Sequence, residues 1–283
     1  MKDQRIGALQ VVLAAVCWSF AGVFCKYIPW SAITIIGFRG LMAAVMLGLA
    51  KRSFRVKLTK ANVLGAFGMA ATSMLFLSAT KLTTSANAIA LQYAMPLFVI
   101  LFSFIVFREK PTALDAIATV FVLTGVVLCS WTGITSGGGR FTGDMLAIIS
   151  AVTYALVYFS VKLPGANSSE YVYLGALLNA PLLLYAPFDA NFTFNIKYGL
   201  CILAMSACFA GGYFFISRSL KRVSPIKSAI LSNFEPILNP LWVYIFLGED
   251  PGIYTIIGAS VVIFTATAYS ILSMRKTAKR INL

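Results

Sequence analysis

The chain has 283 residues, of which 59% are hydrophobic and only 11% are charged, and its formal net charge is +14. Soluble domains average about 45–50% apolar and about 25% charged residues. The composition therefore predicts a polytopic membrane protein, and we expect no nucleic-acid partner for the basic charge. The sequence contains no histidine, which excludes His-based catalysis, and we expect neither a metal nor a cofactor.

Ten apolar segments are long enough for helices that cross a hydrocarbon core of about 30 Å. They lie at 6–26, 31–50, 62–80, 85–107, 112–131, 142–162, 170–187, 197–217, 226–247 and 252–274. The predicted fold is an all-α membrane protein with ten transmembrane helices.

Lysine and arginine residues are distributed unequally between the two sides that ten spans define. Eighteen lie on the side of both termini and four on the other side, while Arg39 lies within a span. By the positive-inside rule, we predict that both termini are cytoplasmic, and we place the protein in the cytoplasmic membrane of a bacterium.

The two halves of the chain repeat. A shift of 136 aligns Gly7, Trp18 and Lys26 with Gly143, Tyr154 and Lys162, and a shift of 140 aligns Lys81, Pro96, Glu109 and Pro111 with Lys221, Pro236, Glu249 and Pro251. Five spans per repeat is an odd number, so the repeats are predicted to be inverted and to enclose a central cavity near the midplane. We divide the chain into a first repeat at 1–131, a Gly-rich inter-repeat loop at 132–141, a second repeat at 142–274 and a basic tail at 275–283.

Four motifs resemble the EamA branch of the drug/metabolite transporter superfamily. They are AAVCWSFAGVFCK in span 1, FRGLMAAVML in span 2, and FREKP and FLGEDP after spans 4 and 9. The resemblance implies a cavity lined mainly by helices 1, 3, 4, 6, 8 and 9. It also implies transport of small organic metabolites, commonly amino acids and often outward.

Glu235 is the main candidate for a coupling residue. It lies near the middle of span 9, before Pro236, on a polar face with Ser232 and Asn239. A carboxylate at this depth costs about 2.5–3.5 kcal/mol on insertion scales, so it should face a partner or water. It could carry protons as the coupling ion, or it could be a fixed structural partner.

Other residues are predicted to line a substrate site. Arg39 could pair with Glu235 or hold a substrate carboxylate, and Trp18, Tyr154 and Tyr158 could stack on a substrate or simply pack. The remaining polar candidates, suited to hydrogen bonds with a substrate or between helices, are Gln92, Tyr93, Ser232, Asn233 and Asn239. Pro96 and Pro236 are predicted hinges. Glu109 and Glu249, at span ends, are interpreted as local caps or local ion-pair partners.

The leading functional hypothesis is a secondary transporter or facilitator, with export included, that works by alternating access on a small-molecule substrate within the lipid bilayer. A membrane-embedded enzyme, a lipid-linked carrier and a channel remain alternatives. The sequence carries no indication of the oligomeric state.

Overall fold

The structure is a computed structural model that describes residues 2–108, 112–136, 138–161, 163–219, 222, 231–232 and 234–281. Over these residues the chain forms helices and short loops. The helices are α1 (Lys2–Ser19), α2 (Ala21–Tyr27), α3 (Ala32–Lys51), α4 (Lys60–Leu82), α5 (Ser85–Gln92), α6 (Met95–Phe107), α7 (Ala113–Ser136), α8 (Gly138–Val161), α9 (Ser168–Asn179), a 3₁₀ helix (Ala180–Phe188), α10 (Ile196–Ser219), α11 (Phe234–Leu247) and α12 (Ile253–Ile281).

The described residues include eight helical segments that are long and apolar enough to cross a membrane, and these coincide with the first eight predicted spans. Two shorter apolar helices, Phe234–Leu247 and Ile253–Tyr269, coincide with the described part of predicted spans 9 and 10. The all-α prediction is confirmed, whereas the number of ten crossings stays a prediction.

Several helices begin at a side-chain cap. Ser31, Thr59 and Thr84 each accept a hydrogen bond from a backbone N–H in the first turn of α3, α4 and α5, respectively. Such caps stabilise a helix by about 1 kcal/mol. They let one span end and the next begin within a few residues, which keeps the bundle compact.

Two spans are interrupted near mid-membrane. The first breaks at Phe20, where the Ser19 hydroxyl donates to the Val16 carbonyl at 2.8 Å. The fourth breaks at Tyr93 and Ala94, just before Pro96, which lies in the first turn of α6. Pro236 lies likewise in the first turn of α11, and residue 233 before it is outside the described residues. Pro96 thus lies beside an observed break. Its ring nitrogen cannot donate the backbone hydrogen bond that would continue the helix.

Equivalent helices of the two repeats pack in antiparallel pairs. In the α7–α12 pair, Asp115 accepts from the Tyr269 hydroxyl at 2.8 Å near one end. The Cys129 thiol donates to the Thr255 carbonyl at 3.8 Å near the other end.

The α3–α9 pair runs the same way. Lys51 and Glu170 form an ion pair at one end, and the Thr34 hydroxyl donates to Asp189, just beyond the 3₁₀ helix, at the other. Antiparallel equivalents are what inverted repeats require.

The predicted inter-repeat loop at 132–141 is largely helical. Helix α7 continues to Ser136 and α8 begins at Gly138, so only residue 137, outside the described set, separates them. Thr135 donates its hydroxyl to the Trp131 carbonyl within the helix. Gly138 has a φ of +64°, which glycine adopts without strain. The described part of the predicted loop is therefore helical on both sides of residue 137.

Candidate functional site

A cavity of about 730 Å³, here called the wide lobe, lies inside the bundle between residues of both repeats. Its volume is in the range typical of small-molecule sites, about 300–1,000 Å³. The lining residues used below are Trp18, Lys51, Tyr93, Pro96, Tyr154, Tyr158, Tyr213, Ser232 and Glu235. Residues of α3 and α9 also line it, so spans 2 and 7 contribute in addition to the six that the resemblance implied.

The wide lobe extends to Lys51 and Ser168, beside the 52–59 loop, which carries Arg52, Arg55 and Lys57. We call this the basic end of the bundle. A second, smaller space of about 90 Å³, the deep lobe, shares Trp18, Tyr154 and Glu235 with the wide lobe and reaches Arg39. Because the two lobes share these lining side chains, we treat them as one candidate site.

The predicted aromatic residues all line this site. The Trp18 ring lies 4.9 Å from the Tyr213 ring, and the Tyr154 ring lies 5.3 Å from the Tyr158 ring. A Cβ on Gly212 would lie 2.2 Å from the Trp18 Nε1 atom, so this glycine leaves the space that the indole occupies. Tyr213 was not among the predicted site residues, although it also lines both lobes.

Glu235 and Tyr93 meet across the cavity from the two repeats. The Tyr93 hydroxyl donates to the Glu235 Oε2 atom at 3.1 Å. Glu235 lines both lobes, and it forms no ion pair with a described residue. Its carboxylate therefore faces the cavity with a neutral partner, as the polar face of span 9 suggested.

Arg39 lies in the deep lobe and is only 5% exposed. Its guanidinium carbon lies 4.8 Å from the centre of the Phe209 ring, and its side chain has no hydrogen-bond or ion-pair partner among the described residues. The considered pairing of Arg39 with Glu235 is therefore not formed in this conformation.

The remaining predicted residues do not all line the cavity. Gln92 lines the deep lobe and donates to the Ser150 hydroxyl at 3.3 Å, and Ser232 lines the wide lobe. Asn233 is outside the described residues. Asn239 lines neither lobe, because it is completely buried between helices, where it accepts from the Ser85 hydroxyl at 2.6 Å.

The bundle is held together at the end opposite the basic end. Lys26 and Glu249 form an ion pair of 2.7 Å. Glu249 also accepts from the Ser85 backbone N–H at 2.6 Å, and Lys26 donates to the Thr83 carbonyl at 2.7 Å. Together with Asn239, whose Nδ2 atom has no partner among the described residues, we call these residues the closed-end cluster.

The closed-end cluster corrects one interpretation. Glu249 was taken as a local cap or local partner, but it binds a lysine of the first repeat. Glu109, its equivalent, is outside the described residues. Asp144, a completely buried carboxylate, was not predicted as a notable residue: it accepts from the Thr83 hydroxyl at 2.8 Å and from the Asn87 amide.

Comparison with known proteins identifies the family. Residues 5–131 and 141–271 each match the EamA-like transporter family. The chain belongs to this family. It is thus an integral membrane transporter of small molecules. The side chains that line its cavity come from both EamA units.

The individual proteins that are similar to this EamA-like transporter share less than 30% of its residues. Solute carrier family 35 member G1 of Homo sapiens is 24% identical, in an alignment that covers 97% of this chain and 81% of that protein. The same protein of Mus musculus is also 24% identical, and its alignment covers 94% of this chain and 78% of that protein. An uncharacterized transporter from the sor 3' region of Acidianus ambivalens is 27% identical over 51% of this chain and 57% of its own length. One crystal structure, 18% identical, matches with a TM-score of 0.58 over 94% of this chain and 98% of the other, which supports the fold.

Proposed function

We propose that this EamA-like protein is a secondary transporter or facilitator that moves small organic metabolites, such as amino acids, by alternating access. The observation that carries the proposal is the cavity itself: both repeats line it, it extends to the basic end, and the closed-end cluster joins the repeats beyond its other end. Amino acids are included because the family resemblance implies them.

The proposed orientation puts the basic end in the cytoplasm, with both termini, in the cytoplasmic membrane of a bacterium. The positive-inside rule supports it. The conformation described here is then inward-facing. The antiparallel packing of α7 on α12 and of α3 on α9 supports a ten-helix, inverted-repeat arrangement, in which exchanging the conformations of the repeats yields the outward-facing state.

The change of state requires the closed-end cluster to separate. The helices pack closely there: a Cβ on Gly22 would lie 2.2 Å from the Ser85 hydroxyl oxygen. The breaks before Pro96 and, by equivalence, near Pro236 are proposed as the hinges, since backbone groups freed by proline can change direction without breaking a complete helical ladder.

Glu235 is proposed as the residue that couples transport to protons. It is the only described acidic residue lining either lobe, and its one described partner, Tyr93, can remain bonded to either protonation state because a hydroxyl both donates and accepts. A carboxylate so placed can exchange protons with water that enters from the basic end. A fixed structural role remains the competing interpretation.

A channel has weaker support, because a channel needs no separation of the repeats. A covalent lock distinguishes the two. In a variant whose five cysteines are replaced by alanine, Tyr27→Cys and Asp250→Cys, at exposed positions next to the Lys26–Glu249 pair, can be joined by a short bifunctional thiol reagent whose spacer contains a disulfide. The single-cysteine variants are the matched controls.

The assay is exchange of a mixture of labelled amino acids, amines, sugars and carboxylates in proteoliposomes. We expect the cross-linked double variant to lose exchange and to regain it when the spacer is reduced, while the single variants treated with the same reagent exchange in both conditions. Exchange that persists in the fully cross-linked protein would contradict alternating access at this end.

A further inference from the structure

The deep lobe contains one cation and one carboxylate that do not bind each other. Arg39 and Glu235 are the only charged residues among its described lining residues, and neither takes part in an ion pair of the described chain. Glu235 lies where the deep lobe meets the wide lobe, whereas Arg39 lines only the deep lobe. The inner part of the site is therefore positively charged.

Arg39 lacks the partner that a buried guanidinium normally has. Arginine stays protonated in proteins, and a buried charge is strongly unfavourable unless it is paired and hydrogen-bonded. Arg39 is 5% exposed, and its one described charge-related contact is the face of Phe209. A ring face offsets part of the lost hydration but accepts none of the five N–H groups, so these remain available to a solute.

Two neutral polar residues that line the deep lobe with Arg39, Thr72 and Gln92, already have hydrogen-bond partners on helix α8. The Thr72 and Thr153 hydroxyls lie 2.8 Å apart, and Gln92 donates to Ser150. The planar fork of a guanidinium fits a carboxylate, which it can bind with two parallel hydrogen bonds. A deep lobe of about 90 Å³ has room for a carboxylate or a few waters, but not for a larger solute.

The rest of such a solute would lie in the wide lobe. Trp18, Tyr154 and Tyr213 line both lobes where they join, and they offer ring faces to an apolar body. We propose that Arg39 binds the carboxylate of the transported solute, so that the substrates are small organic carboxylates with an apolar body. This inference rests on the proposed transport function, because it assigns the substrate class of the same cavity.

Four related compounds test the proposal on the purified, full-length wild-type protein. They are 3-phenylpropionate, its neutral amide 3-phenylpropionamide, phenylalanine and phenethylamine. We expect the two carboxylates to bind at least tenfold more tightly than the amide and the amine in calorimetric titrations. Equal binding of the amide, or no binding of either carboxylate, would overturn the inference without any variant.

Variants then assign the effect to Arg39. Arg39→Gln should remove the tenfold preference for carboxylate over amide, and Arg39→Lys should keep part of it because the charge remains. Lys197→Gln is the control, since it removes an equal charge at an exposed position that lines neither lobe and should keep the preference. A preference unchanged in Arg39→Gln would contradict the assignment.

Flux measurements separate this inference from the transport proposal. If the carboxylates bind but none of the four compounds exchanges across proteoliposomes, the carboxylate site stands and transport of this class fails. If the amide or the amine exchanges and the carboxylates do not, transport stands and the Arg39 inference is wrong.

Discussion

The ion pair between Lys26 and Glu249 should control how often the closed end opens. Its atoms are 2.7 Å apart, and the two side chains are 20% and 22% exposed. Fully exposed pairs contribute at most about 1 kcal/mol, while removing one partner of a fully buried pair costs about 3–5 kcal/mol. This pair lies between these limits, and Glu249 also binds the Ser85 N–H.

We therefore expect Lys26→Gln or Glu249→Gln to weaken the closed end by about 1–2 kcal/mol, which shifts the equilibrium about five- to thirtyfold toward opening. Because the two residues interact directly, the double variant should be less perturbed than the sum of the single variants, by about 1 kcal/mol.

Spin labels on Tyr27 and Asp250, both exposed at the closed end, provide the measurement as distance distributions in nanodiscs. Lys51→Gln is the matched control, because it breaks an ion pair of 2.9 Å at the basic end and should leave this distance unchanged. Strictly additive effects, or distributions identical to that of the wild type, would refute the reasoning.

Three further predictions concern coupling, packing and pH. Glu235→Gln should keep a hydrogen bond with Tyr93 and preserve exchange, but remove the dependence of flux on a proton gradient; a gradient dependence that survives excludes Glu235 as the coupling residue. Gly258→Ala should lower stability by about 1–3 kcal/mol, because its Cβ would lie 2.7 Å from the Gly125 oxygen; Gly199→Ala, which meets nothing within 4 Å, should be neutral in the same melting assay. Burial raises the pKa of Asp189, but hydrogen bonds from Thr34, Ser31 and Asn191 outweigh it and leave the pKa below its ordinary value. The ionised Asp189 side chain should thus stabilise the folded protein fully above the unfolded pKa of about 3.9, and this stabilisation should be lost as the pH falls through the folded pKa. We therefore expect Asp189→Asn to lower the melting temperature more at pH 7 than at pH 3.5. An equal loss at both pH values would contradict this.

Much of the fold could be predicted because each span is a long apolar segment whose ends are set by polar capping residues. The predicted segment 31–50 and the observed helix Ala32–Lys51 differ by one residue at each end. The break beside Pro96 was also predictable, since the loss of a backbone donor acts locally. The break at Phe20 carries no such signal, because it is accompanied by a serine that bonds within its own turn.

The site was only partly predictable. Helical spacing identified the polar or aromatic faces that carry Glu235 and Tyr154, because residues four apart share a face, and the repeat pointed to Trp18; all three line the cavity. Spacing within a helix contains no information about which residue of a distant helix will be opposite. The Lys26–Glu249 pair and the contact of Arg39 with Phe209 depend on that packing. Asp144 was missed because α8 begins at Gly138, four residues before the predicted span, which carries this carboxylate about one turn deeper.

The amide nitrogen of Asn239, which has no partner among the described residues, bears on how quickly the proposed transport cycle can run. A buried donor without an acceptor is unfavourable by about 1–3 kcal/mol, which is close to what the neighbouring ion pair contributes. The two nearly cancel, so in the proposed mechanism the inward-facing form would not be an energy well from which escape is slow. Water that reaches this amide when the helices part would lower the barrier further, and turnover need not wait for a strong contact to dissociate.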